Sequence, residues 1–303
     1  MNLWRINLKP ANRTGYDSRK HCLDNKIVGI GWPLDDINES ISSETYETAG
    51  KIKYPMTTSR GWSNAWNAIY YKMQINDLVW TRTTDGNYFL GRITSEWRYD
   101  YSTDAVNNDI ANIRDCEWVK VGLIGNVPGK VVRSFIPAST LQRVNGETAL
   151  IYSQQIFNDL SGLNVYESTL NLDRDIFSLL SADDCEDIVG LYLQVKFDYI
   201  IIPSSCKDDT LAYEFELIHQ TSSEKAVVQV KNGNVDLNRD SYKAIDAKVF
   251  LFTTNQTYLG SDDENVVCLS IEEIKEFMTN YQNILPQKVR FWVEKLTEQQ
   301  TFI

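Results

Sequence analysis

Histidine is almost missing from this chain, with His21 and His219 the only two among 303 residues. The five cysteines, Cys22, Cys116, Cys185, Cys206 and Cys268, are odd in number and scattered, with no Cys-x-x-Cys pair. These scarcities argue against a zinc site and a disulfide framework, and they fit a reducing cytoplasm. Long apolar runs are also missing: none approaches the roughly 18 residues that span a bilayer, and no charged-then-apolar leader opens the chain. A cytoplasmic protein with no membrane partner is therefore expected. There is no Walker-type phosphate loop, and Gly29-x-Gly31 lacks a third glycine and a following helix, so nucleotide hydrolysis and dinucleotide binding are poor fits. Positive charge is in short supply, 30 Lys and Arg against 41 Asp and Glu, for a net charge of −11. Affinity for phosphates comes largely from Lys and Arg, so any nucleic-acid contact must be a local basic groove or a specific base.

What is present is the composition of a soluble globular protein, 43% hydrophobic and 23% charged, on a chain long enough for two domains with proper cores. The C-terminal part is organised around Tyr213-Glu214-Phe215-Glu216-Leu217-Ile218 and Ala226-Val227-Val228-Gln229-Val230-Lys231, joined by a polar turn. Both runs alternate and are rich in β-branched or aromatic residues, which predicts a β-hairpin. Side chains on a strand alternate between faces, so Glu214, Glu216, Gln229 and Lys231 converge on the face opposite Phe215, Leu217, Val228 and Val230. Carboxylate and amide oxygens are hard ligands, and a lysine beside them can orient a water and stabilise negative charge on a phosphate.

A carboxylate, a hairpin turn, then Gln-x-Lys at the end of an apolar strand resembles the PD-(D/E)xK nuclease superfamily, in the variant of the Mrr-like restriction endonucleases. The resemblance covers roughly the last 125 residues. It implies that Gln229 and Lys231 are the third-motif pair and that Glu214, or Glu216, takes the place of the family's aspartate. Glutamate is one methylene longer, which is a departure from the family pattern. Ser181-Ala182-Asp183-Asp184-Cys185-Glu186 opens a helical pattern with acidic residues at its positive end. By the resemblance Glu186 is the helix carboxylate that helps to hold Mg²⁺ or Mn²⁺ together with Glu214 and Gln229. Strands at Tyr199–Ile202, Lys248–Thr254 and Asn265–Ser270, a helix near Tyr242 and Lys243, and two closing helices predict an α/β layer with a mixed sheet.

The N-terminal part holds seven of the eight tryptophans. A strand at Leu3–Leu8 is followed by Ile27-Val28-Gly29-Ile30-Gly31-Trp32-Pro33, whose glycines free the backbone to approach something closely. An acidic, serine-rich segment from Asp35 to Glu47 reads as solvated. A helix over 57–73 carries Trp62, Trp66, Ile69, Tyr70 and Met73, with Ser59 or Ser63 as its cap. Asp85-Gly86 between Leu78–Arg82 and Tyr88–Ile93 signals a hairpin, a strand follows at Glu117–Gly122, and Val127–Arg133 reads as a turn with a basic pair. This succession resembles the EVE and YTH-like branch of the PUA superfamily, barrels that hold a flipped, modified base between aromatic walls. Such a base needs flat apolar walls and a few polar groups. The candidate walls are Trp32, Trp62, Trp80 and Trp97, with Ser59, Asp85 and Tyr99 as polar partners; Trp66 and Trp118 are assigned to the core and Trp4 is left open.

The expected organisation is an α+β PUA-like barrel over 1–145, a helical linker over 146–180 and a restriction-endonuclease-like α/β domain over 181–303. The two resemblances together imply a modification-dependent, type IV-like restriction endonuclease of anti-phage defence, reading a modified base in DNA and cutting nearby. A homodimer is expected, because two-fold symmetry matches a duplex. The alternative is a modified-base-binding protein whose nuclease fold has lost catalysis.

Overall fold

The computed structural model describes residues 1–8, 15–55, 57, 60–137, 139–167, 176–207 and 213–300. The chain forms two compact units, Met1–Thr169 and Leu170–Ile303.

In the first unit the elements follow as β1 (Leu3–Ile6), α1 (Ser18–Asp24), β2 (Ile27–Ile30), α2 (Ser43–Lys53), α3 (Arg60–Trp66), β3 (Leu78–Arg82), β4 (Tyr88–Ile93) and β5 (Arg98–Tyr99). Then come α4 (Thr103–Asn107), β6 (Asn112–Gly122), α5 (Gly129–Arg133), β7 (Leu141–Arg143) and α6 (Glu147–Ser161). The strands form one curled, half-barrel sheet in the order β2-β6-β4-β3-β1-β7, with β5 beside β6. It is mixed, because β1 and β3 run parallel while their other neighbours are antiparallel. Asp77 fixes the parallel pair at its start by accepting from Asn2 N at 2.6 Å and from Trp4 Nε1 at 2.8 Å.

Alternation along β3 sends Val79 into one core and Leu78 and Trp80 into another. The first core gathers Trp4, Tyr46, Trp62, Trp66, Tyr99 and Ile113; the second gathers Leu3, Leu90, Val121, Phe135 and Phe157. Phe157 lies on α6, so the helix expected within the linker packs into the first unit, where its partners for an apolar face are found. It ends at Gly162, whose φ of +69° is the left-handed cap that glycine adopts without strain.

Three local expectations are corrected. The segment expected to be solvated up to Glu47 instead runs into α2, where Ser42 caps the helix and Tyr46 is fully buried. Tyr46 and Gly50 fall one turn apart on the inward face, and a Cβ at Gly50 would lie 2.5 Å from the Trp62 ring. The basic segment near Lys130 is a short helix, α5, anchored by buried Val131 rather than a turn. The aromatic helix expected over 57–73 is α-helical over Arg60–Trp66, and Asn67–Lys72 continues it in π-helical form.

The second unit comprises α7 (Ala182–Lys196), β8 (Tyr199–Ile201), β9 (Phe215–His219), β10 (Lys225–Lys231), β11 (Leu237–Asn238), β12 (Lys248–Thr253), β13 (Tyr258–Leu259), β14 (Val266–Cys268), α8 (Ile271–Asn280) and α9 (Gln287–Gln300). Its mixed sheet has the order β14-β12-β10-β9-β8, with β10, β12 and β14 parallel and β9 and β8 antiparallel. Ser181 and Asp184 form a capping box at α7. This helix lies on the Phe215 face: a Cβ at Gly190 would meet Ile201 at 2.9 Å and Phe215 at 3.5 Å. The opposite face carries a smaller core of Val227, Leu237, Val249, Leu251 and Val266. Tyr242 and Lys243 stand just after a 3₁₀ turn, Arg239–Ser241, where a helix was expected. Among the described residues no helix is long and apolar enough to cross a membrane.

Candidate functional site

In the second unit, β9 and β10 pair with Glu216 opposite Val227 and Phe215 opposite Val228. The paired register ends there; Glu214, just before β9, donates its backbone N–H to Val228 O at 2.8 Å. Opposed residues share a face, so Glu216, Val227, Gln229 and Lys231 project to the side away from α7, and the Glu214 side chain reaches Gln229 and Lys231 from the start of β9. There Gln229 Nε2 donates to Glu214 Oε1 at 2.5 Å and Lys231 Nζ donates to the same oxygen at 3.0 Å. Gln229 is buried, whereas Glu214 and Lys231 keep 27% and 40% of their side-chain surface. The polar end of the hairpin is thus open to a ligand.

Glu216 is on the same face, but its Oε1 accepts from Tyr213 Oη at 2.8 Å. Glu186 is half-buried on the first turns of α7. Asn232 Nδ2 donates to Leu180 O at 2.8 Å, which brings the start of α7 beside the end of β10 that carries Lys231. Among the described residues, however, no three Asp, Glu, His or Cys side chains gather closely enough to hold a metal, so Glu186 and Glu216 do not complete a three-acid set with Glu214. Tyr242, given no role in the sequence, borders the site: burial, and then the charge of Glu214, push its phenol pKa up. An isolated tyrosine after a turn carries no signal that would have marked it.

In the first unit Tyr46 is the hub of an aromatic cluster. Its Oη donates to Trp32 O at 2.9 Å and accepts from Asn112 Nδ2 at 2.7 Å and Trp62 Nε1 at 3.3 Å. Asn112 also donates to Gly31 O at 2.7 Å and accepts from Trp97 Nε1 at 3.2 Å. The Tyr46 ring centroid lies 5.7 Å from Trp97 and 5.5 Å from Tyr99. Burial pushes the Tyr46 phenol far above its ordinary pKa and raises that of Tyr99, so both stay neutral donors.

The structure therefore brings together Trp32, Trp62, Trp97 and Tyr99, but not the rest of the expected pocket. Trp80 lies in the other core, fully buried, with Nε1 donating to Ser153 Oγ at 3.0 Å, so it cannot serve as a wall without leaving that core. Asp85 sits exposed at the tip of the β3–β4 turn, where it accepts from Asn87 Nδ2 at 2.7 Å and from Thr83 Oγ1. Ser59 lies outside the described residues. Of the four that gather, Trp62 and Tyr99 are buried and Trp32 and Trp97 are half-exposed.

Trp32 has φ +61°, a conformation that bulky residues avoid. It lines a cleft of about 210 Å³ together with Asn7, Ser18, Gly31, Asp109 and Thr140. Gly31 is required there, because a Cβ would fall 2.1 Å from the Asp109 carboxylate. The close approach that the two glycines announced is thus made by Asp109, and at Gly29 by Ile110.

Residues 4–133, most of this unit, match the family profile described as a domain of unknown function (DUF8426). No curated protein and no solved structure matches the chain. The profile spans every member of the Tyr46 cluster and ends at the last residue of α5, before β7 and α6. Tyr46 and Asn112 are what the sequence reading missed. Tyr46, Gly50 and Tyr54 at four-residue spacing in the serine-rich segment were the available signal; Asn112, at the start of a long strand, offered none.

Proposed function

We propose that the chain is a modification-dependent endonuclease, in which a PUA-like first unit reads a modified base and a restriction-endonuclease-like second unit hydrolyses DNA. The observation that carries this reading is the convergence of Gln229 and Lys231 on one oxygen of Glu214, on the open end of a hairpin. A carboxylate, an amide and an ammonium suit phosphodiester chemistry, in which a water oxygen bonds to phosphorus, the bond to the leaving oxygen breaks and a proton passes to that oxygen. Lys231 is placed to hold the water and to stabilise negative charge on the phosphate.

The donor set fits a hard divalent ion. Glu214 and Gln229 supply neighbouring oxygens once the Gln229 amide is turned, and Mg²⁺ keeps several waters while taking only one or two carboxylates. When bound, the ion would act as a Lewis acid on the phosphoryl oxygen and lower the pKa of a water. For base reading, the supporting feature is Trp32, half-exposed in a strained backbone conformation beside a cleft. Strain of that kind persists where surrounding structure enforces it, often at ligand sites. The cleft is smaller than the roughly 300–1,000 Å³ of drug-sized sites, the scale of a single flat ring.

The deciding experiment incubates the protein and a Lys231→Ala variant with modified and plain DNA in Mg²⁺ or Mn²⁺. Cleavage by the wild type alone, preferring modified DNA, supports the reading; no cleavage by the wild type of any modified substrate removes the nuclease half. One observation favours a second reading, a base-binding protein with an inactive nuclease fold. Glu214 is already engaged by two donors and has no group of three acids around it among the described residues. Binding to modified DNA without cleavage would select it.

A further inference from the structure

In a chain of net charge −11 several arginines of the first unit are matched to carboxylates, as Arg92 is to Glu117, Arg98 to Asp115 and Arg114 to Glu96. Arg5, Arg19 and Arg82 have no carboxylate partner among the described residues. They are placed by different elements. Arg5 is buried on β1, with Nη2 donating to Gln142 Oε1 at 2.7 Å, Nη1 to Ser139 O, and Nε without a partner. Arg82 ends β3, its guanidinium 4.7 Å from the centroid of Phe135; Arg5 lies 5.3 Å from the same ring. Arg19 is on α1, and its Nη1 is buried without a hydrogen bond among the described residues. Burial, and then the charge of Arg82, lower the Arg5 pKa to about 10.

Arg19 and Arg82 line one cleft of about 560 Å³ with Thr83, Thr84, Gly86, Tyr88, Leu123 and Ile124. That volume is within the range of sites for nucleotide-sized ligands, roughly 300–1,000 Å³. Leu123 and Ile124 are 63% and 57% exposed, giving the cleft an apolar rim beside its two cations. The nearby Asp85 carboxylate is turned to Thr83 and Asn87 within its own hairpin. Guanidinium forks match phosphate oxygens two at a time, and exposed aliphatic side chains cover sugar or base faces.

We propose that this cleft is the phosphate-binding groove of the first unit, and that it holds the backbone of a nucleic-acid strand. The assignment rests on the base-reading proposal for its choice of a strand over other phosphates. It also offers a way for an acidic protein to meet DNA: among the described residues the two arginines that line the cleft have no acidic partner.

The test measures binding of the full-length protein to a short labelled single strand by fluorescence anisotropy across a salt series. It compares wild type, Arg19→Gln, Arg82→Gln, the double variant and Arg82→Lys, each checked by thermal melting. The double variant should bind at least about tenfold more weakly at low salt. The slope of log affinity against log salt should fall by roughly 0.7 for each phosphate that is no longer neutralised. The ratio of modified to plain strand affinity should stay as in the wild type, and Arg82→Lys should keep the wild-type slope. Arg19→Gln carries the test if Arg82→Gln, which loses its stacking on Phe135, does not fold.

Wild-type affinity and slope in a folded double variant would overturn the proposal, as would no strand binding by the wild type at low salt. A nucleoside monophosphate or inorganic phosphate binding as tightly as the strand would overturn the assignment to a strand. If the slope depends on the arginines while modified and plain strands bind equally, the base-reading proposal fails and the groove stands.

Discussion

Lys231 Nζ and Gln229 Nε2 lie 3.0 and 2.5 Å from the same oxygen of Glu214, although Glu214 stands just before β9 and the other two residues lie on β10. Among the described residues, the hydrogen bonds of the Glu214 side chain are both made through this one oxygen. A partly exposed pair of this kind contributes roughly 0–1 kcal/mol to stability.

Lys231→Ala should therefore abolish cleavage while shifting the melting temperature by no more than a few degrees. Calorimetry together with a nuclease assay checks both halves. A large loss of stability with cleavage retained would reassign Lys231 to a structural role.

Trp32 and Trp80 should separate cleanly. Trp80→Ala empties a site in a closed core and should cost about 3–5 kcal/mol in denaturant unfolding. Trp32→Ala should weaken binding of a modified strand roughly ten- to a hundredfold, since stacking contributes about 1–3 kcal/mol per base and 1.4 kcal/mol is a decade. Equal binding by wild type and Trp32→Ala would show that the indole is only packing.

The backbone of Trp32 allows a further comparison in which the side chain is absent from both proteins. Trp32→Gly should be more stable than Trp32→Ala by about 1 kcal/mol, because only alanine pays the strain of φ +61°. Equal midpoints in urea would argue that this conformation is relaxed in solution.

Lys288 Nζ lies 2.5 Å from Asp184 Oδ1, with 11% and 8% of the two side chains exposed. Lys288→Met should destabilise the second unit by about 3–5 kcal/mol, since it leaves a buried carboxylate without its counter-charge. Lys288→Met combined with Asp184→Asn should recover part of that loss. Denaturant titration of the wild type, both single variants and the double variant measures the coupling, and additive losses would deny it.

A two-fold dimer would supply the second active site that a duplex cut requires. Light scattering with and without DNA should show a dimer in at least one condition, and the monomer mass alone at micromolar concentration would reject it.

The face of the site hairpin was readable in advance because the strand period is two residues: once Phe215 and Leu217 point inward, Glu216 must point the other way, and the turn aligns Gln229 and Lys231 with it, where the Glu214 side chain meets them from just before β9. The same rule placed Val79 and Trp80 on opposite faces of β3 but could not say which face meets α2 and α3 and which meets α6. That is why Trp80 was grouped with Trp32 and Trp62. Tyr46 was hidden for a different reason. Its neighbours are serine, threonine and glutamate, and composition outweighed a four-residue spacing of two tyrosines and a glycine.

By itself, then, the sequence determined what is local: strand alternation, the acidic start of the helix after Ser181, the Asp85-Gly86 turn, and the charges that end up on one side of β9 and β10. Only the tertiary structure decided what depends on distant segments meeting. The curl of the first sheet closes one core around Tyr46 and another around Trp80, sets the carboxylate of Asp109 against Gly31, and leaves Arg19 and Arg82 lining one cleft without an acid. Backbone periodicity propagates over a few residues, whereas which buried faces meet is settled by packing between segments tens of residues apart, and no local pattern encodes that choice.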